Sequence, residues 1–383
     1  MARADDNKNF LSSEDAVALR LRERLARFPW GLLLLLTLAA CIGLTVLFSA
    51  VGRRNIGMLF SQTVRFGFSL VLMVILALAN EKVYRRYAYL IYGLILLMLV
   101  AVAIMGDVGM GARRWLEIGF VRLQPSELMK AAIVLALARY FHDQSASPLR
   151  LRDVLIPLCL ILAPLALIVH QPDLGTAVIV AVISGAVIFV AGLSWHAILA
   201  TVIIVPASFP LLWNFLHDYQ KRRIFTLFFP EDDPLGAGYH IIQSKIAVGS
   251  GGLTGKGFMG GSQSHLDFLP ERHTDFIFSV LAEEWGFLGA VILIVIYGLI
   301  TLRGITIAVM ARDRFGLLLA SGLLSLFLFQ VIINIGMVIG LLPVVGIPLP
   351  LVSYGGSSMI TVMLAMGLLA HVSIHSKQHG RAV

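Results

Sequence analysis

Cysteine and charge are both scarce in this chain of 383 residues. The two cysteines, Cys41 and Cys159, each lie within an apolar run, so no disulfide framework is expected. Charged residues make up 14% of the chain against 58% hydrophobic, far from the balance of a soluble globular domain. A nucleotide-binding P-loop is absent too. Its nearest approach, "GSGGLTGKG", has Ser250 where the motif needs glycine and Gly257 where it needs a hydroxyl. No nucleic-acid partner is expected of such a chain. The first apolar run starts too far from residue 1 to read as a cleaved signal peptide.

Long hydrophobic runs dominate instead. A helix needs about 20 mostly apolar residues to cross a bilayer core of roughly 30 Å. That criterion predicts an all-α integral membrane protein with ten transmembrane helices, near 31–52, 57–79, 87–106, 126–141, 154–171, 174–193, 197–216, 279–302, 315–340 and 357–375. Residues 29–376 form one polytopic membrane domain between short tails, 1–28 and 377–383. A large extracytoplasmic loop, 217–278, separates the seventh and eighth spans. Lysine and arginine favour the side that holds the termini, which places both ends in the cytoplasm.

The basic residues left on the outer side oppose that bias and call for an anionic partner. Arg113 and Arg114 stand beside Trp115, an interfacial anchor, and read as anion ligands or as lipid-headgroup contacts. In the large loop, Tyr239, Ile242 and Ile246 recur at helical spacing. Seven glycines then crowd residues 249–261. Lys245 and Lys256 flank them, so the run reads as a flexible loop or as a backbone cradle for phosphate.

Three further stretches carry polar residues at membrane depth. In "QPSELMK", Pro125 opens a helix, and Glu127 and Lys130 are three apart on one face, positioned to neutralise each other. In "HQPDLGT", Asp173 is placed to cap the following helix. In "PLPLVSYGGSSM", prolines break the chain where irregular backbone must line protein or a cavity. A helix starting at Ser357 or Ser358 would aim its amides at that cavity.

The densest stretch is "HLDFLPERHTDFIF", residues 265–278. Asp275 could cap the apolar helix that follows it. Alternatively, crowding by Phe276 and Phe278 would raise its pKa while Arg272 pulled it back, a setting suited to a general base. His273 could serve in its place, and residue types do not separate them.

Together, "FLPERHTDFIFSVLAEEWGFLG", "QPDLGT", "GARRWLEIG…QPSELMK", "QSKIAVGSGGLTGKG" and "PLPLVSYGGSSM" resemble the SEDS family (shape, elongation, division and sporulation). The likeness runs in order from about residue 30 to 376, and the stretch around "GLLPVVGIPLPLVSYGGSSM" is closer to its rod-shape branch than to its division branch. It implies a peptidoglycan glycosyltransferase that polymerises lipid II, an undecaprenyl-pyrophosphate-linked disaccharide pentapeptide, on the outer face of the inner membrane. The HTDF aspartate, here Asp275, is the family's essential acid. It would deprotonate the acceptor hydroxyl, with Arg113, Arg114, Trp115, Lys245, Lys256, Arg272, His273, Ser357 and Ser358 lining the substrate. A divalent cation, Mg or Mn, would fit at the pyrophosphate, although no ligand spacing specifies it. Implied partners are a class B penicillin-binding protein and the rod-system elongation complex. A lipid II flippase or a shape-complex scaffold would share the spans. A carboxylate ahead of its helix, rather than at the membrane midplane, favours the enzyme.

Overall fold

The computed structural model describes residues 22–109, 112–118, 121–144, 151–193, 218–233, 236–265 and 271–376, with a few isolated positions between 199 and 214. Eleven helices of eleven residues or more organise them. They are α1 (Trp30–Val51), α2 (Ile56–Leu78), α3 (Glu81–Met105), α4 (Pro125–Asp143), α5 (Leu151–His170), α6 (Leu174–Val190), α7 (Asp218–Phe228), α8 (Ala237–Ser250), α9 (Ile277–Val309), α10 (Arg314–Val338) and α11 (Gly356–Ile374). Seven of them are long and apolar enough to cross a membrane: α1, α2, α3, α5, α9, α10 and α11.

The expected spans at 126–141 and 174–193 correspond to α4 and α6. α6 is apolar but short, at 17 residues. α4 falls outside the apolar set for a physical reason. Its neighbours sheathe it, and fourteen of its nineteen residues are buried. A helix shielded in this way can carry Glu127 and Lys130, which would be costly facing lipid. The predicted span at 197–216 lies outside the described residues, as do residues 1–21 and 377–383 of the two tails.

Local chemistry sets the helix ends. Pro125 occupies the first turn of α4, where its missing N–H is harmless. Asn80, Asp173 and Asp313 accept backbone N–H bonds at the starts of α3, α6 and α10. Where α2 crosses α11, a Cβ on Gly367 would lie 2.8 Å from the Met73 carbonyl, so glycine sets the crossing distance.

Two features were not visible as helices in the sequence. Between α3 and α4 the chain forms a small antiparallel sheet, β1 (Asp107–Gly109), β2 (Ala112–Ile118) and β3 (Val121–Leu123), in the order β1-β2-β3. The second is a break in α9 at Gly286, which has φ +67°. There the glycine-rich segment after α8 inserts its backbone. Lys256 and Gly257 donate to the carbonyls of Glu283 and Glu284, both at 3.0 Å. Phe287 and Leu288 in turn donate to the carbonyls of Gly252 and Leu253 at 2.9 and 3.1 Å. These are the four groups an unbroken helix would have paired with one another. A Cβ on Gly255 would sit 2.1 Å from the Glu284 carbonyl oxygen, so the approach requires glycine. The glycine run, read as a flexible loop or a phosphate cradle, is here a clasp on α9, and the amides of Lys256 and Gly257 are already used.

Candidate functional site

Asp275 stands two residues before α9, at the end of the bundle where α8, the sheet and the segment 341–355 gather. It does not cap the helix. The N-cap is Phe276, and no side-chain cap bond forms. Phe276 and Phe278 are buried, as their spacing around the carboxylate suggested. Asp275 keeps partial solvent access, yet protein surrounds it closely enough that desolvation pushes its pKa up to about 6. The nearby Glu271 carboxylate pushes the same way. The cation that opposes them is Arg223 of α7. Arg272 has a different role, since its Nε donates to the Ala50 carbonyl at 2.9 Å and ties the segment to α1.

The backbone on either side of Asp275 is bound to the proline-broken segment. Ser353 Oγ donates to the Thr274 carbonyl at 2.6 Å and accepts from the Leu349 amide at 2.7 Å. The Tyr354 amide donates to the His273 carbonyl at 2.9 Å. From α2, Gln62 Nε2 donates to the Ser353 carbonyl at 3.0 Å. Irregular backbone at this depth is thus paired by protein, as the prolines required. The His273 ring lies 6.1 Å from the Tyr354 ring, and burial lowers its pKa below the usual histidine value.

A second network collects other predicted residues. Asp173 caps α6 through the Thr176 amide at 3.3 Å and accepts from Gln124 Nε2 at 3.1 Å. The Gln124 amide donates to Ser357 Oγ at 3.2 Å, so α4, α6 and α11 start in one hydrogen-bonded web. Arg114 reaches over it, donating to the carbonyls of Gln171 and Pro172. Its guanidinium therefore has a structural task besides any ligand, while the side chain of Arg113 lies outside the described residues. Trp115 is partly exposed on β2, and Ser358 is buried one residue past Ser357. Below them Lys130 Nζ bonds Glu127 Oε1 at 2.7 Å, with both side chains buried.

Two predicted ligands stand apart from these networks. Lys256 Nζ pairs with Glu283 Oε1 at 2.7 Å, which strengthens the clasp. Lys245 lays its side chain over Gly340, where a Cβ would meet its Cε. Residues that the sequence reading missed include Gln62, Ser353 and Asn334, which read as ordinary polar residues near spans. Arg223 counts among the outer cations, but the sequence does not set it apart from Lys221 and Arg222. Among the described residues, no group of three or more His, Cys, Asp or Glu side chains is placed to hold a metal ion.

Fold and site together define a class: a polytopic membrane protein that keeps a desolvated carboxylate at the mouth of one helix. The comparisons narrow it. The family model described as "Cell cycle protein", which covers FtsW, RodA and SpoVE, matches residues 29–378. The chain belongs to that family. It is 48% identical over 356 residues to the peptidoglycan glycosyltransferase MrdB of Escherichia coli (strain K12), covering 93% of this chain and 95% of that one. It is 34% identical over 424 residues to the peptidoglycan glycosyltransferase RodA of Treponema pallidum, covering 90% and 97% of the two chains. A chain from a peptidoglycan synthase complex that coordinates polymerization and crosslinking superposes with a TM-score of 0.79 at 34% identity, over 90% of this chain and 97% of that one. The crystal structure of the rod-shape-determining protein RodA of Thermus thermophilus gives 0.68 at 32% identity, over 91% and 96%.

Proposed function

We propose that the protein is a peptidoglycan glycosyltransferase that polymerises lipid II into β-1,4-linked glycan during cell elongation, with Asp275 as general base. The observation that carries this reading is a carboxylate whose pKa is raised to about 6 by burial, ahead of its helix. Such a group is ionised at neutral pH yet basic enough to take a proton in the transition state. The acceptor's GlcNAc 4-hydroxyl attacks the donor's anomeric carbon as its proton passes to Asp275. The bond to undecaprenyl pyrophosphate breaks on the opposite face and the centre inverts. Pyrophosphate is already a good leaving group, so the remaining need is to stabilise its charge. Arg113, Arg114 and the amide end of α11 at Ser357 and Ser358 are assigned that task, with Trp115 at the interface.

The lysine and arginine bias supports cytoplasmic termini, which puts Asp275 on the outer face of the inner membrane. Among the described residues no group of three or more His, Cys, Asp or Glu side chains is placed to hold a metal, so a Mg or Mn ion is assigned no step. The proposed partners are a class B penicillin-binding protein, which would crosslink the new strand, and the rod-system elongation complex. The test is polymer formation from purified lipid II, with the protein alone and with its transpeptidase. Glycan chains from wild type and none from Asp275→Asn support the enzyme. Transbilayer movement of lipid II without polymer would replace it with the flippase.

A further inference from the structure

Asn334 lies in α10 and is fully buried, at 0% exposure. Its Nδ2 donates twice, to the Asp275 carbonyl at 2.9 Å and to the Ile347 carbonyl at 2.7 Å. Its Oδ1 is buried with no hydrogen-bond partner among the described residues. A bare acceptor in a span is costly, and an apolar side chain would avoid the cost, so the two donated bonds are what the position provides. They join the two stretches of backbone that meet at the carboxylate. Gly346, beside Ile347, has φ +74°, and a Cβ built there would lie 3.4 Å from Asp275 Oδ2. The ties from Ser353 and Tyr354 hold residues 273 and 274, and the Asn334 bond holds residue 275.

We propose that Asn334 is a positioning residue: by binding the carbonyls of Asp275 and Ile347 through one nitrogen, it sets the gap between the Asp275 carboxylate and the Gly346 backbone. The gap governs how much water reaches the carboxylate and the angle at which it meets the acceptor hydroxyl. This inference rests on Asp275 acting as the base. The other charged or titratable groups that bear on the site are Glu271 and His273 in its own segment, Arg223 on α7 and His240 on α8. None of them makes a bond to the Asp275 carbonyl that Asn334 holds.

The test follows lipid II polymerisation by the purified full chain with its transpeptidase from pH 5 to 9, per folded molecule. Asn334→Leu keeps the branched shape with bulkier methyl ends and removes both donated bonds. Its plateau rate should fall about 10-fold or more, because small misplacements of a reacting group are expensive. Its acid limb should move down, from near 6 toward the ordinary carboxylate range, as water enters. Gly346→Ala presses a methyl toward Oδ2 and should move the limb up. Asn334→Ser, which keeps one donor, should fall between wild type and Asn334→Leu and serves if the latter does not fold. Limbs unmoved in both Asn334→Ser and Gly346→Ala, with rates tracking the amount of folded protein, would reduce Asn334 to a structural residue. A fully active Asp275→Asn would overturn the base and this inference together, so the two failures are distinguishable.

Discussion

Both ends of the helical bundle use arginine to close helix C-termini, Arg114 and Arg272 at the Asp275 end and others at the far end, but they differ in what they do with a carboxylate. Away from Asp275, arginines close helix C-termini. Arg24 donates to the Leu78 carbonyl that ends α2, at 2.6 Å. Arg314 donates to the Gln144 and Ala191 carbonyls past α4 and α6, each at 2.7 Å. These carbonyls have no helical partner, and a guanidinium satisfies them without needing an anion. A cavity of about 230 Å³ at this end is lined by Glu23, Arg24, Arg27, Ile374 and His375. At the other end, Asp275 forms no ion pair among the described residues, and Arg223 offsets its burial only in part. Both ends are braced by arginine, and the Asp275 end also keeps an unstable charge ready for proton transfer.

The largest effect on stability should come from the pair beneath the site. Glu127→Gln leaves Lys130 buried without its partner and should cost about 3–5 kcal/mol, read as a lower melting temperature in detergent. Exchanging the two charges should restore part of that loss. A double-mutant cycle without coupling would remove the pair from the account. Arg314→Leu comes next, losing about 1.5–3 kcal/mol through two orphaned carbonyls, with polymerisation per folded molecule unchanged. If activity per folded molecule fell along with stability, the division between the two ends would fail.

The third and smallest effect has the opposite sign. The folded protein raises the Asp275 pKa to about 6 from an ordinary 3.8, so folding favours the protonated acid. That contribution is fully present below about pH 4 and is lost as pH rises through 6, where the buried charge becomes a penalty. Asn has no such penalty. Asp275→Asn should therefore stabilise the protein by about 1–2 kcal/mol at pH 8, after allowance for partial exposure, and by nothing near pH 4. A melting temperature that falls on this substitution at pH 8 would mean the carboxylate is paired after all.

How much of this could be read in advance follows from the physics of each element. Unbroken apolar runs such as Trp30–Val51 announce their spans, because only a helix satisfies its own backbone in lipid. Pro125, Asp173 and the Glu127–Lys130 spacing were legible because capping and i,i+3 pairing act within one turn. The sheet at 107–123 was not, since strands of three, seven and three residues are too short for alternation to show. Nor was the clasp. It pairs the backbones of 252–257 and 283–288, and main-chain groups leave no side-chain signature. Glycine alone could not say whether phosphate or another carbonyl would approach. For Asp275 the crowding phenylalanines were visible, but the facing cation was misplaced. Arg272 is the neighbour in sequence, whereas Arg223 arrives from another helix.

The central claim is that Asp275 takes the acceptor's proton. The most direct measurement is the rate of lipid II polymerisation against pH for wild type and Asp275→Asn, each normalised to folded protein. Wild type should lose activity as pH falls through about 6, the value to which burial lifts this carboxylate. Asp275→Asn should be at least about 10²-fold slower across the range and should lack that limb. A variant that polymerises at the wild-type rate, or a wild-type profile that stays flat down to pH 5, would contradict the account.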